Sequence, residues 1–511
     1  MKPELLRMEN IRKTFRPDVL ALDGAGFSLR EGEIHALAGE NGAGKTTLMK
    51  ILTGIERPDE GRIFLRGEPV GISDPNAADA LGIAMVHQHF MLVEDMTVAE
   101  NIALGREPRK GLCFDRASAE ARVLELAGKY DMPVRPETPI RDLSVGLKQK
   151  VEILKVLSRN AKILLLDEPT AVLTPQETVE LFRQLVLLKE AGHTIVLITH
   201  KLKEIKEVCD RITVMKAGRT VGTFEVGEVT EAEISRKMIG YDFVPVTASG
   251  SPTPGADLLR AEGLCHIDAR GVRKLHDLSF SLREGEILGV VGIEGNGQEE
   301  LVAVLSGQEP RYEGKISLDG TDLRHQSVAA IRTRGLSYIP EDRMNQGVDA
   351  SASVWENASV HRIRRARPGF FLRGKDLYEA AGKLLGDFEV KCDSPREPIR
   401  ALSGGNMQKI VSGREIEDCG RILIADQPTR GIDVGSAVKI HERIVGLAKA
   451  GKGILLVSSD LQEIHRLSSR ILVLFGGEIV AEFPHPSEVT EEELGFCMLG
   501  LRRNAGSGES A

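Results

Sequence analysis

Nine consecutive residues in the first tenth of this 511-residue sequence have the types and spacing of a loop that binds phosphate groups. A glycine, four variable positions and then glycine, lysine and threonine allow the backbone to curl so that successive N–H groups face an anion. Lys45 adds a positive charge, and the hydroxyl of Thr46 is a suitable ligand for Mg²⁺. The motif predicts a nucleoside triphosphate site formed by Gly39, Glu40, Asn41, Gly42, Ala43, Gly44, Lys45, Thr46 and Thr47.

The segments on either side of this loop fit the same chemistry. Residues 34–38 form an apolar run typical of a buried strand, and Leu48, Ile51 and Leu52 give the next segment one apolar helical face. A helix that begins near Lys45 directs its positive end at the phosphates. A glycine-rich turn that matches by accident is the alternative, and a strand before it with a helix after it disfavours that alternative.

Further polar residues follow apolar runs that are continuous enough to be central strands. Because chemistry collects at the carboxyl ends of parallel strands, we predict that Asp167 holds Mg²⁺ through water and that Glu168 is the general base. His200 is predicted to donate to the γ-phosphate, although a lone histidine at a strand end is more often structural. Gln88 is predicted to contact both the metal and the attacking water.

Composition and charge narrow the class of protein. Lysine plus arginine number 67 against 75 aspartate plus glutamate, a formal net charge of -8, so no sequence-wide footprint for nucleic acid is present and no nucleic-acid partner is expected. The six cysteines form no CxxC pair, which indicates reduced thiols. No run approaches the roughly 18 apolar residues of a membrane span, and we expect the chain to stay in the cytosol.

The sequence contains the same frame twice. The octapeptide Phe-Ser-Leu-Arg-Glu-Gly-Glu-Ile begins at Phe27 and again at Phe280, and Asp167 is matched later by Asp426. Each copy alternates short apolar runs with amphipathic helical segments, which predicts an α/β fold with a mainly parallel sheet. The predicted division is a first domain over 1–242, a linker over 243–256, a second domain over 257–500 and a flexible tail over 501–511.

The order of motifs in the first copy is specific. Ser144 precedes an apolar helical pattern and is predicted to cap that helix. With the phosphate loop, a glutamine after a strand, this Leu-Ser-Val-Gly segment, Leu-Leu-Leu-Asp-Glu-Pro-Thr and Ile-Thr-His in that order, the copy resembles an ABC-transporter nucleotide-binding domain. The resemblance implies an antiparallel β part and a helical subdomain beside each parallel core, and it implies that Phe15 stacks on adenine.

The second copy has lost most of this chemistry. Gln298 and Glu299 replace the lysine and threonine of the loop, and Gln427 replaces the base carboxylate. Ser459 and Glu341 stand where His200 and Gln88 stand in the first copy. The second copy nevertheless has the unaltered family signature, Leu-Ser-Gly-Gly, from Leu402 to Gly405.

The resemblance implies that two such domains pair head to tail, so that each ATP lies between one domain's phosphate loop and the other domain's signature helix. This arrangement explains why the second copy lost its loop residues but kept its signature. The resemblance then implies one working site, which joins the first-copy residues to Ser403, Gly404, Gly405 and Gln408. It also implies one degenerate site, which joins Gly292, Gly297, Gln298 and Gln427 to Ser144 and Gly146. Free decay of the second copy is the alternative, but it predicts that the intact signature should have decayed as well.

Tandem asymmetric sequences of this kind, with Tyr-Ile-Pro-Glu-Asp-Arg over 338–343, resemble the energising subunit of bacterial importers for simple sugars and nucleosides, most like the nucleoside branch. The implied partners are ATP, Mg²⁺, two membrane permease subunits and an extracytoplasmic solute-binding protein or lipoprotein. The implied location is the cytoplasmic face of the cell membrane, with indirect contact to its inner leaflet. The alternatives are a soluble tandem ATPase that acts on ribosomes and a nucleotide-gated scaffold without turnover.

Overall fold

The computed structural model describes residues 3–15, 19–39, 42–87, 90–111, 113–170, 173–199, 201–239, 255–293, 295–365 and 374–504. The chain forms two compact units, Met1–Phe243 and Val244–Ala511. No helix in the described ranges is long and apolar enough to span a membrane.

The first unit contains an antiparallel sheet and a mainly parallel one. Its strands are β1 Glu4–Phe15, β2 Val19–Arg30, β3 Ile34–Gly39, β4 Glu60–Leu65, β5 Glu68–Val70, β6 Ile83–Val86, β7 Arg109–Lys110, β8 Cys113–Phe114, β9 Ile163–Asp167, β10 Thr194–Ile198, β11 Arg211–Lys216 and β12 Arg219–Glu225. The helices are α1 Lys45–Leu52, α2 Pro75–Ala80, α3 Val98–Ala103, α4 Arg116–Lys129, α5 Val145–Leu157, α6 Pro175–Glu190, α7 Leu202–Val208 and α8 Glu231–Ile239.

The six-stranded sheet has the order β12-β11-β3-β10-β9-β6, in which only β12 is antiparallel to its neighbour. β3, β9 and β10 are buried along their whole length, as strands covered on both faces must be. The antiparallel sheet has the order β2-β1-β4-β5, and α3, α4 and α5 pack on one another beside the parallel sheet. The carboxyl ends of β3, β9 and β10 therefore meet at one edge.

The second unit repeats this topology. Its strands are β13 Asp257–Ile267, β14 Arg273–Arg283, β15 Ile287–Val291, β16 Glu313–Leu318, β17 Thr321–Asp322, β18 Leu336–Ile339, β19 Ile422–Asp426, β20 Gly453–Val457, β21 Arg470–Phe475 and β22 Glu478–Phe483. The helices are α9 Gln298–Ser306, α10 Val328–Thr333, α11 Val354–Arg365, α12 Gly374–Asp387, α13 Gly404–Glu417, α14 Val434–Lys449, α15 Leu461–Leu467 and α16 Glu491–Met498. The sheet orders are β14-β13-β16-β17 and β18-β19-β20-β15-β21-β22. The predicted fold class is thus confirmed in both units.

The repeated octapeptide forms the same turn in each unit. Gly32 (φ 63°) and Gly285 (φ 75°) occupy the left-handed region between two strands. The following glutamate accepts a hydrogen bond from the backbone N–H three residues earlier, Glu33 from Arg30 and Glu286 from Arg283, at 2.8 Å in both units. The identical letters therefore encode one identical connection into the strand that precedes each loop.

The two segments outside the predicted domains are described only in part. Of the predicted linker, residues 255 and 256 are described and the rest lies outside the described ranges. Of the predicted tail, residues 501–504 are described, and the N–H of Asn504 donates to the carbonyl of Val480 in β22 at 2.9 Å. This part of the segment is therefore anchored to the sheet.

Candidate functional site

The phosphate loop of the first unit connects β3 to α1, and close packing explains its glycines. Glu40 and Asn41 lie outside the described residues. A Cβ on Gly39 would lie 2.4 Å from the carbonyl oxygen of Met215, which pairs with it in the sheet. Gly44 caps α1 with φ 96°, and a Cβ there would lie 2.6 Å from Leu22. A side chain at either position would displace backbone or core.

Lys45 closes this loop from within. Its side chain is buried, and its Nζ donates to the carbonyl of Gly39 at 2.7 Å. A buried ammonium near the N–H groups at the start of α1 gives this end of the sheet a concentrated positive charge. The arrangement suits an anion that the loop surrounds, as the sequence predicts for the phosphates of a nucleoside triphosphate.

Thr46 and Asp167 come together at the start of α1 and the end of β9. The hydroxyl of Thr46 lies 3.4 Å from Oδ2 of Asp167. Burial and the neighbouring Glu168 raise the pKa of the Asp167 carboxyl to about 6, against the opposing effect of Lys45. A hydroxyl and a carboxylate at this spacing form a donor set of the kind that Mg²⁺ prefers.

Glu168 has an unusual backbone conformation. It lies in the left-handed region with φ 46°, and Gln427, its counterpart in the second unit, has φ 49°. Non-glycine residues adopt this region rarely and at a cost in free energy, and such strain clusters at functional sites. The Glu168 N–H donates to the carbonyl of Ile198 at 2.9 Å, which ties this turn to β10.

A buried glutamate stabilises the edge of the sheet where β9 and β10 end. The sequence analysis did not identify this residue. Glu204 accepts hydrogen bonds from the hydroxyls of Thr170, two residues beyond Glu168, and Thr199, at the end of β10. In the second unit, Glu463 similarly accepts from Thr429 at 2.8 Å. The recurrence of this glutamate in both copies is the signal that could have found it.

Three of the predicted catalytic and adenine contacts remain predictions. Gln88 and His200 lie outside the described residues. Phe15 lies at the end of β1, where its ring faces the Nζ of Lys13 at 5.3 Å from the ring centroid. The structure thus brings together Lys45, Thr46, Asp167 and Glu168, and places Phe15 on the antiparallel sheet.

The corresponding loop of the second unit is filled by its own side chain. Gln298 donates through Nε2 to the carbonyl of Ile293 at 3.1 Å, and that nitrogen would lie 2.2 Å from a Cβ on Gly292. Gly297 caps α9 with φ 103°, as Gly44 caps α1. The loop geometry is retained while its positive charge has been lost.

The acidic residue in this loop has a further electrostatic effect. Burial and the nearby Glu299 raise the pKa of Asp426 to about 7, with no lysine opposing them as Lys45 opposes them in the first unit. Gln427 replaces the predicted base Glu168 in this unit, and its amide oxygen accepts a hydrogen bond from the hydroxyl of Ser459 at 3.2 Å. The positions that correspond to Lys45 and to the predicted base Glu168 are thus occupied by two neutral amide side chains, Gln298 and Gln427.

Both signature helices begin with a serine cap, which was predicted for Ser144 alone. Ser144 accepts from the N–H of Leu147 at the start of α5, and Ser403 accepts from the N–H of Asn406 at the start of α13, each at 3.4 Å. Gln408 is buried in α13 and donates to the carbonyl of Pro428 at 3.4 Å. Serine at this position satisfies a backbone N–H that the helix itself leaves unpaired.

The neighbours of the signature glycines differ in charge. A Cβ on Gly146 would lie 2.3 Å from the carboxylate of Glu177, whereas a Cβ on Gly404 would lie 2.4 Å from the guanidinium of Arg343. A Cβ on Gly405 would lie 2.9 Å from the carbonyl oxygen of Gly431. The helix start is thus flanked by an anion in the first unit and by a cation in the second.

Together these features define a phosphate-loop ATPase built from two units whose loops differ in charge. A family model described as ABC transporter matches residues 22–171 and 275–430, and the chain belongs to that family.

Curated relatives match nearly the whole chain. The guanosine import ATP-binding protein NupO of Bacillus subtilis (strain 168) is 43% identical over 499 residues, covering 97% of each chain. The nucleoside import ATP-binding protein NupA of Lactococcus lactis subsp. cremoris (strain MG1363) is 41% identical, covering 97% of this chain and 98% of its own. The ribose import ATP-binding protein RbsA 1 of Streptomyces avermitilis is 44% identical, covering 96% of this chain and 92% of its own.

A solved tandem structure resembles the chain at lower identity. The structure titled RNase-L Inhibitor covers 92% of this chain and 89% of its own, with a TM-score of 0.61 and 20% sequence identity. At that identity the similarity establishes the tandem fold alone.

Proposed function

We propose that the chain is the ATP-hydrolysing subunit of an ABC importer that carries nucleosides or simple sugars, with nucleosides favoured. The observation that carries the proposal is the near full-length similarity to import ATP-binding proteins, among them guanosine and nucleoside importers. The partners are two membrane permease subunits and an extracytoplasmic solute-binding protein or lipoprotein. The chain then works at the cytoplasmic face of the membrane.

The residues of the first unit divide the work of hydrolysis. The loop from Gly39 to Thr47, with the charge of Lys45, binds the phosphates. Mg²⁺ would be held by Thr46, Asp167 and Gln88. Glu168 accepts the proton of the attacking water. Mg²⁺ supplies charge neutralisation at the phosphate oxygens. Ser403, Gly404 and Gly405 complete this site from the other unit in the head-to-tail arrangement that the family implies.

Exposed apolar side chains in the segment after Gln88 support a protein partner. Met91 is 59% exposed and Val93 is 42% exposed, and both precede α3. Large apolar side chains exposed next to a polar functional edge are typical of interaction sites. We assign this segment to the contact with a permease, so that movement at the γ-phosphate reaches the membrane subunit.

Mg²⁺ binding should weaken in acid. Because the Asp167 pKa is raised to about 6, lowering the pH from 7.5 to 5.5 protonates most of this carboxyl, and a protonated carboxyl is a poor metal ligand. We expect the Mg²⁺ concentration for half-maximal phosphate release to rise about fourfold from this group alone. Asp167→Asn is the control, since the pH dependence that remains in it belongs to the nucleotide. Equal pH dependence in both proteins would contradict the assignment.

Purification from detergent extracts tests the function itself. The tagged full-length chain should bring down two multi-spanning membrane proteins, and ATP hydrolysis of the complex should increase with a loaded solute-binding protein. Recovery of ribosomal subunits instead of membrane proteins would replace the importer with the ribosome-acting alternative. A complex that binds ATP but releases no phosphate would favour the scaffold.

A further inference from the structure

Lys201 connects the chain segments that follow β9 and β10. It lies directly before α7, and its Nζ donates to the carbonyl of Thr170 at 3.3 Å and to the hydroxyl of the same residue at 3.4 Å. Its backbone N–H donates to the hydroxyl of Thr199 at 3.1 Å. One residue beyond the end of β10 therefore holds the turn that carries Glu168 at the end of β9.

Glu204 completes this connection with both of its carboxylate oxygens. Oε1 accepts from the hydroxyl of Thr170 and lies 3.3 Å from Nζ of Lys201, while Oε2 accepts from the hydroxyl of Thr199 at 2.8 Å. The Glu204 side chain is 7% exposed, so its charge requires a partner within the protein, and Lys201 supplies one. These four residues, Thr170, Thr199, Lys201 and Glu204, form one network that we call the cross-link.

The turn that carries Glu168 needs such a connection. A non-glycine residue in the left-handed region is strained, and this conformation persists only where the surrounding structure imposes it. On one side of the turn the Glu168 N–H donates to the carbonyl of Ile198 in β10 at 2.9 Å. On the other side the cross-link holds Thr170. The strained residue is therefore fixed from both directions.

The second unit keeps the glutamate of the cross-link and replaces the lysine. Glu463 corresponds to Glu204, and its Oε1 lies 2.7 Å from Nε2 of His441 in α14. Asp460 stands where Lys201 stands, and its carboxylate caps α15. The lysine is thus present in the unit whose turn carries the predicted base, and an aspartate replaces it in the unit whose turn carries a glutamine.

We propose that Lys201 is a positioning residue for the general base of the ATPase. It acts through Thr170 and Glu204, which fix the turn so that the Glu168 carboxylate is held where it accepts the proton of the attacking water. Proton transfer requires the base within hydrogen-bond reach, so a turn that can reorient lowers the rate of hydrolysis without weakening the contacts of the phosphate loop. This inference rests on the proposed function, because it requires hydrolysis with Glu168 as the base.

Phosphate release by the reconstituted complex tests the proposal. We expect Lys201→Met, which keeps an unbranched side chain without the charge, to lower kcat about tenfold, and Lys201→Arg to recover most of that loss. Thr170→Val keeps the shape of the side chain but removes its hydroxyl contacts, so it should lower kcat in the same way. Asp460→Ala, at the matching position of the second unit, is the control and should keep the kcat of the parent.

Nucleotide binding separates positioning from a general structural effect. ATP affinity is measured by equilibrium binding in the Glu168→Gln background, where bound ATP is not hydrolysed, and Lys201→Met should change it about twofold or less. In the same background the base is already absent, so Lys201→Met should lower the residual rate of phosphate release about twofold or less. A further tenfold loss there would show that Lys201 acts independently of Glu168 and would overturn the proposal.

The remaining outcomes distinguish this proposal from the proposed function. If Lys201→Met and Thr170→Val both keep the parent kcat, or if Asp460→Ala loses as much as Lys201→Met, the role of Lys201 is overturned while the proposed function stands. If Lys201→Met weakens ATP binding as much as it lowers kcat, or melts below the assay temperature while Thr170→Val keeps the parent kcat, Lys201 is structural and the proposal is also overturned. If the parent complex releases phosphate no faster than Lys45→Ala, the proposed function itself fails, and the Lys201 proposal fails with it.

Discussion

Glu168→Gln should bind ATP and release almost no phosphate. The substitution leaves the loop and Lys45 untouched, so the contacts that hold the nucleotide survive. It removes the proposed general base, and loss of such a group typically lowers turnover about a hundredfold to ten-thousandfold. The variant should therefore accumulate in the ATP-bound, clasped state, which binding of labelled ATP and an assay of phosphate release together would detect.

The structure supplies an internal reason to expect that this variant folds. Gln427 already occupies the corresponding position in the second unit, with φ 49° against 46° for Glu168, so glutamine accepts this backbone conformation. Gln427→Glu is the matched control, and it should change turnover little because the loop beside it has no lysine. Loss of ATP binding in Glu168→Gln would mean that the residue holds nucleotide rather than a proton.

Lys45→Ala should nearly abolish turnover and transport. The ammonium is buried inside the loop, and its loss removes a charge-assisted contact of about 1.5–3 kcal/mol at a bound phosphate. The γ-phosphate is then also misplaced for attack, which adds to the loss. The measurement is phosphate release in the reconstituted complex, with a melting curve to confirm that the variant is folded. Turnover within a few fold of the parent would contradict the role of Lys45.

Repairing the second loop should not create a second working site. Gln298→Lys with Gln427→Glu restores one cation and one carboxylate, but Glu299 remains beside Asp426 and keeps the pKa of that carboxyl high. Ser459 and Glu341 also remain in place of the histidine and glutamine. We expect the doubly substituted complex to release phosphate no faster than the parent. A doubled rate would show that the degenerate loop lacked only these two groups.

Local sequence patterns were sufficient for most of the fold. The phosphate loop, the buried strand before it and the serine cap of α5 depend on residues within a few positions of one another, so their periodicity and spacing identify them. The duplication was equally visible, because the octapeptide that begins at Phe27 and Phe280 is identical. The strain at Glu168 leaves no such local pattern and became visible in the backbone angles.

The charges at the signature helices could not be predicted from sequence. Arg343 lies beside Gly404, and Glu177 beside Gly146, although each pair is separated by tens of residues along the chain. Such contacts depend on how the segment after β18 and the cap of α6 pack against α13 and α5. The sequence placed Arg343 in a segment that resembles the family, but its contact with Gly404 became visible only in the structure. The recurrence of Glu204 as Glu463 could have singled out this residue from sequence, but its hydrogen bonds to threonines depend on the same packing.

The unequal roles of the two units are tested most directly by a matched pair of loop variants. Phosphate release is measured for the reconstituted complex with Lys45→Ala and, in parallel, with Gln298→Ala. Gln298 donates within its own loop and brings no charge to a phosphate, so its truncation should leave most of the activity, while Lys45→Ala should leave almost none. Comparable losses in the two variants would show that both loops support turnover and would contradict a single working site.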